Sequence, residues 1–316
     1  MKKITKRDIE QAHKRIRPYI HETPVLHSAA INAIAGADIH FKCENFQKIG
    51  AFKIRGGMNA ALSLSETELQ HGLATHSSGN HAQAIAFAAR QLGVKAYIVM
   101  PNNSPNVKIE AVRGYGAEVT LCEPTLQARE TTLNNIVEKT GATFIHPFDN
   151  VQVITGQATC AKELLKQVPD LQIVMAPVGG GGLLSGTGLS THYYGQNAIV
   201  IAGEPEGAAD AILSFKSGKV EKAPYINTIA DGLLTNLSER TLSIIREHVT
   251  DIITVSEDEI KAALRLIYER LKIVVEPSCV VPFAALLKEK ERFAGKKVGI
   301  ILTGGNVDLS KFATWF

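Results

Sequence analysis

The sequence predicts an α/β protein in which helices cover both faces of parallel sheets. Short apolar runs alternate with amphipathic stretches along the 316 residues, a pattern typical of such sheets. Three turns rich in glycine, serine and asparagine punctuate this pattern, at His76–Asn80, Val178–Gly182 and Thr303–Asn306. Because ligands of open α/β sheets bind at the carboxyl ends of strands, the three turns predict one shared site.

The individual elements are predicted from the length and periodicity of these runs. Six apolar runs are expected to be strands: Ile39–Cys43, Ala96–Val99, Glu118–Leu121, Ile173–Ala176, Ile199–Ala202 and Val298–Leu302. Seven amphipathic stretches are expected to be helices: Lys6–Ile16, His81–Leu92, Pro105–Arg113, Leu126–Lys139, Gly156–Gln167, Glu257–Leu271 and Val281–Lys290.

The length predicts two domains, since one domain typically spans about 100–200 residues. We place the boundaries near residues 72 and 149. Residues 1–71 and 150–316 then form a large domain, and residues 72–149 form a smaller inserted one. A hydrophobic content of 45% and a charged content of 21% allow a large core and a solvated surface.

Composition argues against several classes of protein. The net charge of +3 comes from dispersed Lys and Arg, so nothing indicates nucleic-acid binding. No apolar run approaches the roughly 20 residues of a membrane span, and residues 1–17 are too charged for a signal peptide. The four cysteines are far apart and are expected to be reduced: Cys43, Cys122, Cys160 and Cys279. We therefore expect a cytoplasmic protein that does not bind membranes.

The Pro177–Gly188 segment reads PVGGGGLLSGTG and directly follows a predicted strand. Consecutive glycines at 179–182 expose backbone N–H groups ahead of a helix N-terminus, which predicts a phosphate site. A flexible linker is the alternative, although linkers seldom follow a buried strand directly. A dinucleotide site is another, and Glu204 lies where its ribose-binding acid would be, but the G-x-G-x-x-G spacing fails at Leu184 or Ser185.

Lys53 stands in the Glu44–Gly57 segment, ENFQKIGAFKIRGG. A lone lysine usually lies on the surface, but Phe52, Ile54 and nearby glycines give this one an apolar setting. Burial lowers the pKa of a lysine, and a neutral amine is what Schiff-base chemistry requires.

A third segment, Thr75–Ala89, reads THSSGNHAQAIAFAA. Ser77 and Ser78 precede an Ala-rich helix, so their hydroxyls and the free N–H groups of its first turn are expected to bind a carboxylate. One of the two serines could instead serve only as the helix N-cap.

Together, these segments resemble the serine/threonine dehydratase and serine racemase family of fold-type II pyridoxal-phosphate enzymes. The resemblance extends from about Ile9 to about Asp308, and ENFQKIGAFKIRGG looks closest to the serine racemase and hydroxyaspartate dehydratase branch. Many dehydratases of the family have Ser where this chain has Ala51. The resemblance implies a large and a small domain, each with an open, mostly parallel twisted sheet, as in the β subunit of tryptophan synthase.

The resemblance also implies a role for each residue of the cofactor site. Lys53 would hold pyridoxal phosphate covalently, Phe52 would pack against its ring, and Asn80 would hydrogen-bond its 3-hydroxyl. Thr303, in the segment ILTGGNVD, would lie beside the pyridine nitrogen, where a neutral hydroxyl suits β-elimination better than transamination. The cofactor phosphate would be bound by Gly179, Gly180, Gly181 and Gly182.

Substrate and cation ligands follow from the same resemblance. Ser77, Ser78 and His81 would bind the substrate carboxylate, and Arg129 would close on it from the small domain unless it is a surface arginine. In the segment GEPEGAAD, oxygen ligands for Mg²⁺, Mn²⁺ or Ca²⁺ would come from Glu204, the Ala208 carbonyl and Asp210. The alternative is a surface turn with two solvated acids.

The predicted activity is dehydration of L-serine and L-threonine to a 2-keto acid and ammonia, with Lys53 removing the α-proton. Serine racemase, including a bifunctional enzyme with Ser78 on the opposite face, is the first alternative, and threo-3-hydroxyaspartate dehydratase is another. The family suggests a homodimer. A dehydrogenase and a non-enzymatic binding module are alternatives from other classes, but the binding module would leave Lys53, Ser78 and Thr303 without a shared purpose.

Overall fold

Two separate β-sheets form the framework of the protein. The structure is a computed structural model that describes residues 3–316. Met1 and Lys2, the start of the charged N-terminal stretch, lie outside the described residues. The strands are β1 (Val25–Leu26), β2 (Asp38–Cys43), β3 (Leu73–His76), β4 (Ala96–Pro101), β5 (Glu118–Cys122), β6 (Thr143–Phe144), β7 (Ile173–Pro177), β8 (Ile199–Pro205), β9 (Asp251–Val255) and β10 (Lys297–Leu302).

The larger sheet has the strand order β1-β2-β10-β7-β8-β9, and the smaller sheet has the order β5-β4-β3-β6. Every pairing is parallel except that of β1 with β2. The predicted α/β class with mostly parallel sheets is therefore confirmed. Each of the six predicted strands lies within an observed one, whereas β1, β3, β6 and β9 were not predicted.

Helices cover the sheets: α1 (Lys6–Ile16), α2 (Ala29–Ala35), α3 (Lys53–Ala61), α4 (Glu66–Gln70), α5 (Asn80–Leu92), α6 (Asn106–Gly114), α7 (Leu126–Thr140), α8 (Val151–Gln167), α9 (Gly182–Tyr194), α10 (Ala211–Ser217), α11 (Glu239–His248), α12 (Glu257–Leu266), α13 (Pro277–Lys288), α14 (Lys290–Phe293) and α15 (Leu309–Phe312). The bounds of α1 are those predicted.

Six of the seven predicted helices differ from the observed bounds, and three of them, α8, α12 and α13, differ by more than one residue at one or both ends, each for a local reason. Helix α8 begins five residues before the predicted Gly156, because the Asn150 side chain caps its first N–H groups. Helix α13 begins at Pro277, a favourable residue for a first turn. The stretch predicted to continue α12 is instead a π-helical turn, 267–271, that ends at Lys272 with a left-handed φ of 59°.

Close backbone contacts join α3, α8 and α9. A Cβ atom on Gly156 would lie 2.5 Å from the Arg55 carbonyl oxygen, and one on Gly186 would lie 2.6 Å from the Ala158 nitrogen. Only glycine allows such approaches. Helix α3 is consequently held directly against the core helix α8, and Lys53 is the first residue of α3.

A fully buried charge cluster reinforces this arrangement. Arg55 is 0% exposed and pairs with Glu44 and Glu163, each with a shortest N···O distance of 2.7 Å. The Lys42 ammonium lies 2.8 Å from Glu163. Positive and negative charges are equal in number here, which a buried cluster requires, because an unpaired buried charge is strongly destabilising. The cluster ties α3 to β2 and α8, two residues from Lys53.

The four cysteines are all free thiols, three of them buried. Among the described residues, no helix is long and apolar enough to cross a membrane. The smaller sheet is built from strands between Leu73 and Phe144. That residues 72–149 form a distinct domain stays a prediction.

Candidate active site

The three glycine- and serine-rich turns follow β3, β7 and β10, each at the carboxyl end of its strand. Two of these turns touch, because the Asn306 side chain donates a hydrogen bond of 2.8 Å to the Asn80 side chain. The third turn, residues 178–182, is contacted by Phe148, which packs against Gly180. The carboxyl ends of strands from both sheets thus face a common region.

Lys53 is held in this region by strand-like pairing just before α3. Ala51 and Gly304 form an antiparallel bridge, and the Phe52 N–H donates to the Thr303 carbonyl at 2.9 Å. The Lys53 ammonium lies 5.2 Å from the centre of the Phe52 ring. Three of the predicted cofactor residues, Phe52, Lys53 and Thr303, are therefore neighbours.

The Lys53 amine has the electrostatic setting that its sequence context suggested. Desolvation lowers its pKa from 10.5 to about 8, while the negative charge of Glu276 opposes this shift. The Lys53 Nζ donates a hydrogen bond of 3.1 Å to the Pro147 carbonyl. A substantial fraction of this amine is neutral near pH 8.

The glycine loop presents bare backbone at the start of α9. Gly181 has a φ of +83°, and a Cβ atom there would lie 2.7 Å from Leu237. At Gly180 a Cβ atom would overlap the Phe148 ring. Side chains are thus excluded from the loop on steric grounds, which leaves its N–H groups and the N-terminus of α9 available to an anion.

These residues fit pyridoxal phosphate. A Cβ-free loop at a helix N-terminus suits the phosphate. A desolvated lysine suits covalent attachment to the aldehyde, and the Phe52 ring beside it suits an aromatic ligand. Thr303 is 3% exposed and supplies a neutral hydroxyl at the carboxyl end of β10.

The turn after β3 has several of its polar groups already engaged. The Ser77 hydroxyl accepts from the Gly79 N–H at 3.3 Å, and the Asn80 amide donates to Glu276 at 2.9 Å. The Ser78 hydroxyl, half-buried, makes no hydrogen bond within residues 3–316. Among the predicted substrate ligands of this turn, Ser78 therefore has the freest side chain.

The side chain of His81 points into the core. It is 2% exposed, and its Nε2 lies 3.0 Å from the Ile145 carbonyl oxygen. Desolvation, followed by the charge of Lys53, holds its pKa well below the usual value. His81 is therefore neutral, and its side chain offers no positive charge to a carboxylate.

Arg129 lies on α7 of the smaller sheet, half-buried, and its Nε donates to the Thr125 carbonyl at 3.4 Å. It forms no salt bridge in the part of the chain that the structure describes. Its positive charge adds to desolvation in lowering the pKa of His76, at the carboxyl end of β3. Because Arg129 lies near the carboxyl end of β3 and pairs with no carboxylate of the described residues, it is available to an anionic group of a substrate.

Glu276 is a site residue that the sequence analysis missed. It is 5% exposed, and its carboxylate accepts from the Asn80 amide and would clash with any Cβ atom on Gly304. Desolvation and the charge of Asp231 raise its pKa to about 7. A single glutamate is normally solvated, so no local signal indicated its burial beside Asn80.

The predicted cation ligands lie near one another at the carboxyl end of β8. Glu204 and Asp210 are each 1% exposed, so they are not the solvated acids of the alternative interpretation. Desolvation raises the pKa of Glu204 to about 8 and that of Asp210 to about 7. The Glu204 oxygens accept from the Ala211 and Ile212 N–H groups, and the Ala208 carbonyl accepts from the Asp210 N–H. Among the described residues, no group of three or more His, Cys, Asp or Glu could hold a metal.

Comparisons with known proteins agree with this geometry. A profile of the family described as pyridoxal-phosphate dependent enzyme matches residues 16–304. A serine racemase from Dictyostelium discoideum is 50% identical over 99% of this chain and 98% of its own, and a beta-hydroxyaspartate dehydratase from Paracoccus denitrificans is 48% identical over 97% and 98%. The structure of maize serine racemase matches with a TM-score of 0.95 and 41% identity, over 98% of this chain and 96% of that one.

Gly180→Ala is expected to disturb the glycine loop, because the added methyl would meet the Phe148 ring. Overpacking of this kind costs about 1–3 kcal/mol, enough to weaken pyridoxal phosphate binding about tenfold. Titration of the purified protein with pyridoxal phosphate, followed by visible absorbance, measures the change. Adding Phe148→Ala should restore part of the affinity. Equal affinity in the wild type and Gly180→Ala would contradict the steric account of the loop.

Proposed function

We propose that this chain, which belongs to the pyridoxal-phosphate-dependent enzyme family, dehydrates L-serine and L-threonine. The products are a 2-keto acid and ammonia, formed by removal of the α-proton, β-elimination of water and hydrolysis of the released enamine by water. The observation that carries the proposal is the Lys53 amine, which is desolvated and lies beside Phe52 and Thr303. It is a base whose pKa, about 8, suits proton removal near neutrality.

Each residue of the site has a part in this proposal. Lys53 holds the cofactor at rest and accepts the α-proton once its amine is free. Pyridoxal phosphate, when bound, withdraws electrons from the α-carbon. Phe52 would support the ring, Thr303 and Asn80 would bind its polar groups, and residues 179–182 would hold the phosphate through their N–H groups.

The substrate carboxylate is proposed to bind at the N-terminus of α5, where Ser77, Ser78 and the His81 N–H lie together with the positive end of the helix dipole. Arg129 is proposed to close on the substrate from α7. This orientation would leave the β-hydroxyl free to depart, which elimination requires.

Racemisation of serine is a second candidate, which two observations favour. The Ser78 hydroxyl is half-buried and makes no hydrogen bond within the described residues, so it could deliver a proton to the α-carbon. The Dictyostelium relative, 50% identical, is a serine racemase. Both reactions begin with the same proton removal, and they differ in whether the hydroxyl leaves before a proton returns.

Threo-3-hydroxyaspartate is a third candidate substrate, because the Paracoccus relative, 48% identical, is a beta-hydroxyaspartate dehydratase. Such a substrate carries a second carboxylate that needs a basic partner. Arg129, which forms no salt bridge in residues 3–316, could supply it.

Product analysis separates the three candidates. The holoenzyme is given L-serine, L-threonine or threo-3-hydroxyaspartate separately, and 2-keto acid, ammonia and D-serine are quantified in the same samples. We expect 2-keto acid from L-serine and L-threonine in excess over D-serine. Comparable or dominant D-serine would make racemisation the main function, and turnover confined to hydroxyaspartate would favour the third candidate.

Lys53→Ala is the matching variant, and it should abolish all of these activities because it removes both the attachment point and the base. Lys166→Ala, at an exposed lysine on α8, serves as the control and should keep wild-type rates. Substantial turnover by Lys53→Ala would refute the assignment.

We also propose a divalent cation, Mg²⁺, Mn²⁺ or Ca²⁺, at Glu204, Asp210 and the Ala208 carbonyl. The proposal is supported by the burial of the Glu204 and Asp210 carboxylates, which form no salt bridge in the described chain. Millimolar Mg²⁺ should then raise the thermal unfolding midpoint of the wild type, because a ligand of the native state stabilises it. Asp210→Asn should lose this rise, and Glu206→Gln, at an exposed neighbouring acid, should keep it. An equal rise in all three proteins would exclude this site.

A homodimer in the cytoplasm is proposed from the family resemblance. Large apolar side chains near the site are exposed, among them Phe46 (45%) and Val274 (53%), and a subunit interface would cover them. Light scattering should give twice the 34.1 kDa of the chain. A monomeric mass at micromolar concentration would rule the dimer out.

A further inference from the structure

Residues 145–150 connect the last strand of the smaller sheet, β6, to helix α8 beside the larger one. Both ends of this connection are anchored. The Ile145 carbonyl accepts from the Thr75 hydroxyl and lies 3.0 Å from His81 Nε2, and the Asn150 side chain caps α8. The two residues in the middle, Pro147 and Phe148, face the cofactor site.

The Pro147 carbonyl accepts the 3.1 Å hydrogen bond from the Lys53 amine. The Phe148 ring lies where a Cβ atom on Gly180 would be, and Phe148 also bounds Gly182. One short turn therefore contacts the Lys53 amine at one side of the site and packs on the glycine loop at the other. Any interaction that holds this turn in its conformation therefore affects both contacts.

The side chain of His146 binds the backbone of this turn. Its Nδ1 accepts the Asp149 N–H at 2.9 Å and the Phe148 N–H at 3.3 Å. The ring also packs edge-on against the Phe148 ring, with centroids 4.6 Å apart. Because Nδ1 accepts two N–H groups, it must be unprotonated, and the ring proton of the neutral form is on Nε2.

The surroundings favour this neutral form. Desolvation lowers the pKa of His146 to about 4, and the charges of Lys53 and Arg240 and the nearby His76 act in the same direction. Asp149, on the same segment, is the group that opposes the shift. The Nδ1 acceptor is therefore available throughout the neutral pH range.

We propose that His146 is a positioning residue for the reaction: its Nδ1 acceptor shapes the 147–149 turn so that the Pro147 carbonyl meets the Lys53 amine and Phe148 packs on the glycine loop. The inference rests on the proposed function in that Lys53 is the reacting base. It adds a residue that neither touches the reacting atoms nor belongs to the three turns that define the site.

Two nearly isosteric substitutions test this role. His146→Asn places an acceptor oxygen close to where Nδ1 lies, whereas His146→Leu fills similar space without an acceptor. In the holoenzyme, kcat for L-serine should fall on the order of tenfold to a hundredfold in His146→Leu, the loss expected for a displaced catalytic group. His146→Asn should stay within about threefold of the wild type, since it keeps the hydrogen bonds that set the geometry. KM should change little in either variant, because the proposed carboxylate ligands lie at α5.

Hydrogen exchange provides a readout apart from activity. The Phe148 and Asp149 N–H groups should be protected in the wild type and in His146→Asn, and should exchange about tenfold faster or more in His146→Leu, with protection elsewhere unchanged. Should His146→Leu fail to fold, His146→Gln replaces it, because its amide lies one bond too far to reproduce Nδ1.

The two ideas fail in distinguishable ways. If the wild-type holoenzyme released neither keto acid nor D-serine, the proposed function would fall, whereas the exchange measurement would still test the turn. If the wild type were active and His146→Leu kept its kcat and its protection at Phe148 and Asp149, the positioning role would be overturned. Equal losses of kcat in His146→Asn and His146→Leu would overturn it as well.

Discussion

The pairing of residues 50–52 with residues 303–305 is the contact on which the rest of the site depends. It joins the segment before α3 to the end of β10, a central strand of the larger sheet, and so delivers Lys53 to the carboxyl edge of that sheet. The buried Arg55 cluster and the glycine contacts with α8 then hold α3 in place. A reactive lysine at the start of a rigid helix is positioned more accurately than one on a loop.

Much of the fold could be predicted because buried parallel strands are continuous apolar runs. The elements that were missed lack that feature. Strand β3 has only four residues, of which two are polar, and it is recognisable only through its pairing with β4 and β6. Helix α3 contains Gly56 and Gly57, which disfavour a helix locally. Those glycines are required by the close approach of α8 and α5, a tertiary constraint that sequence periodicity does not record.

The candidate site could be predicted where the residue types within a single segment indicate what the segment binds. The glycine run, the lysine with apolar neighbours and the serine-rich turn each indicated a ligand type, and the resemblance joined them. Glu276, His146 and the Arg55 cluster were missed for a different reason. Charged residues are normally solvated, and the burial of Glu276 and Arg55 depends on partners that lie far away in the sequence, Asn80 for Glu276 and Glu163 for Arg55. His146 was missed because its partners are backbone N–H groups of its own turn, and the sequence does not reveal the conformation of that turn.

The most direct test of the account is to locate the cofactor on the chain. The holoprotein is treated with borohydride, digested, and analysed by mass spectrometry for a peptide that carries a reduced pyridoxyl group. We expect loss of the visible absorbance and a single modified lysine, Lys53, between Phe52 and Ile54. Modification at another lysine, or a protein that takes up no pyridoxal phosphate, would contradict it.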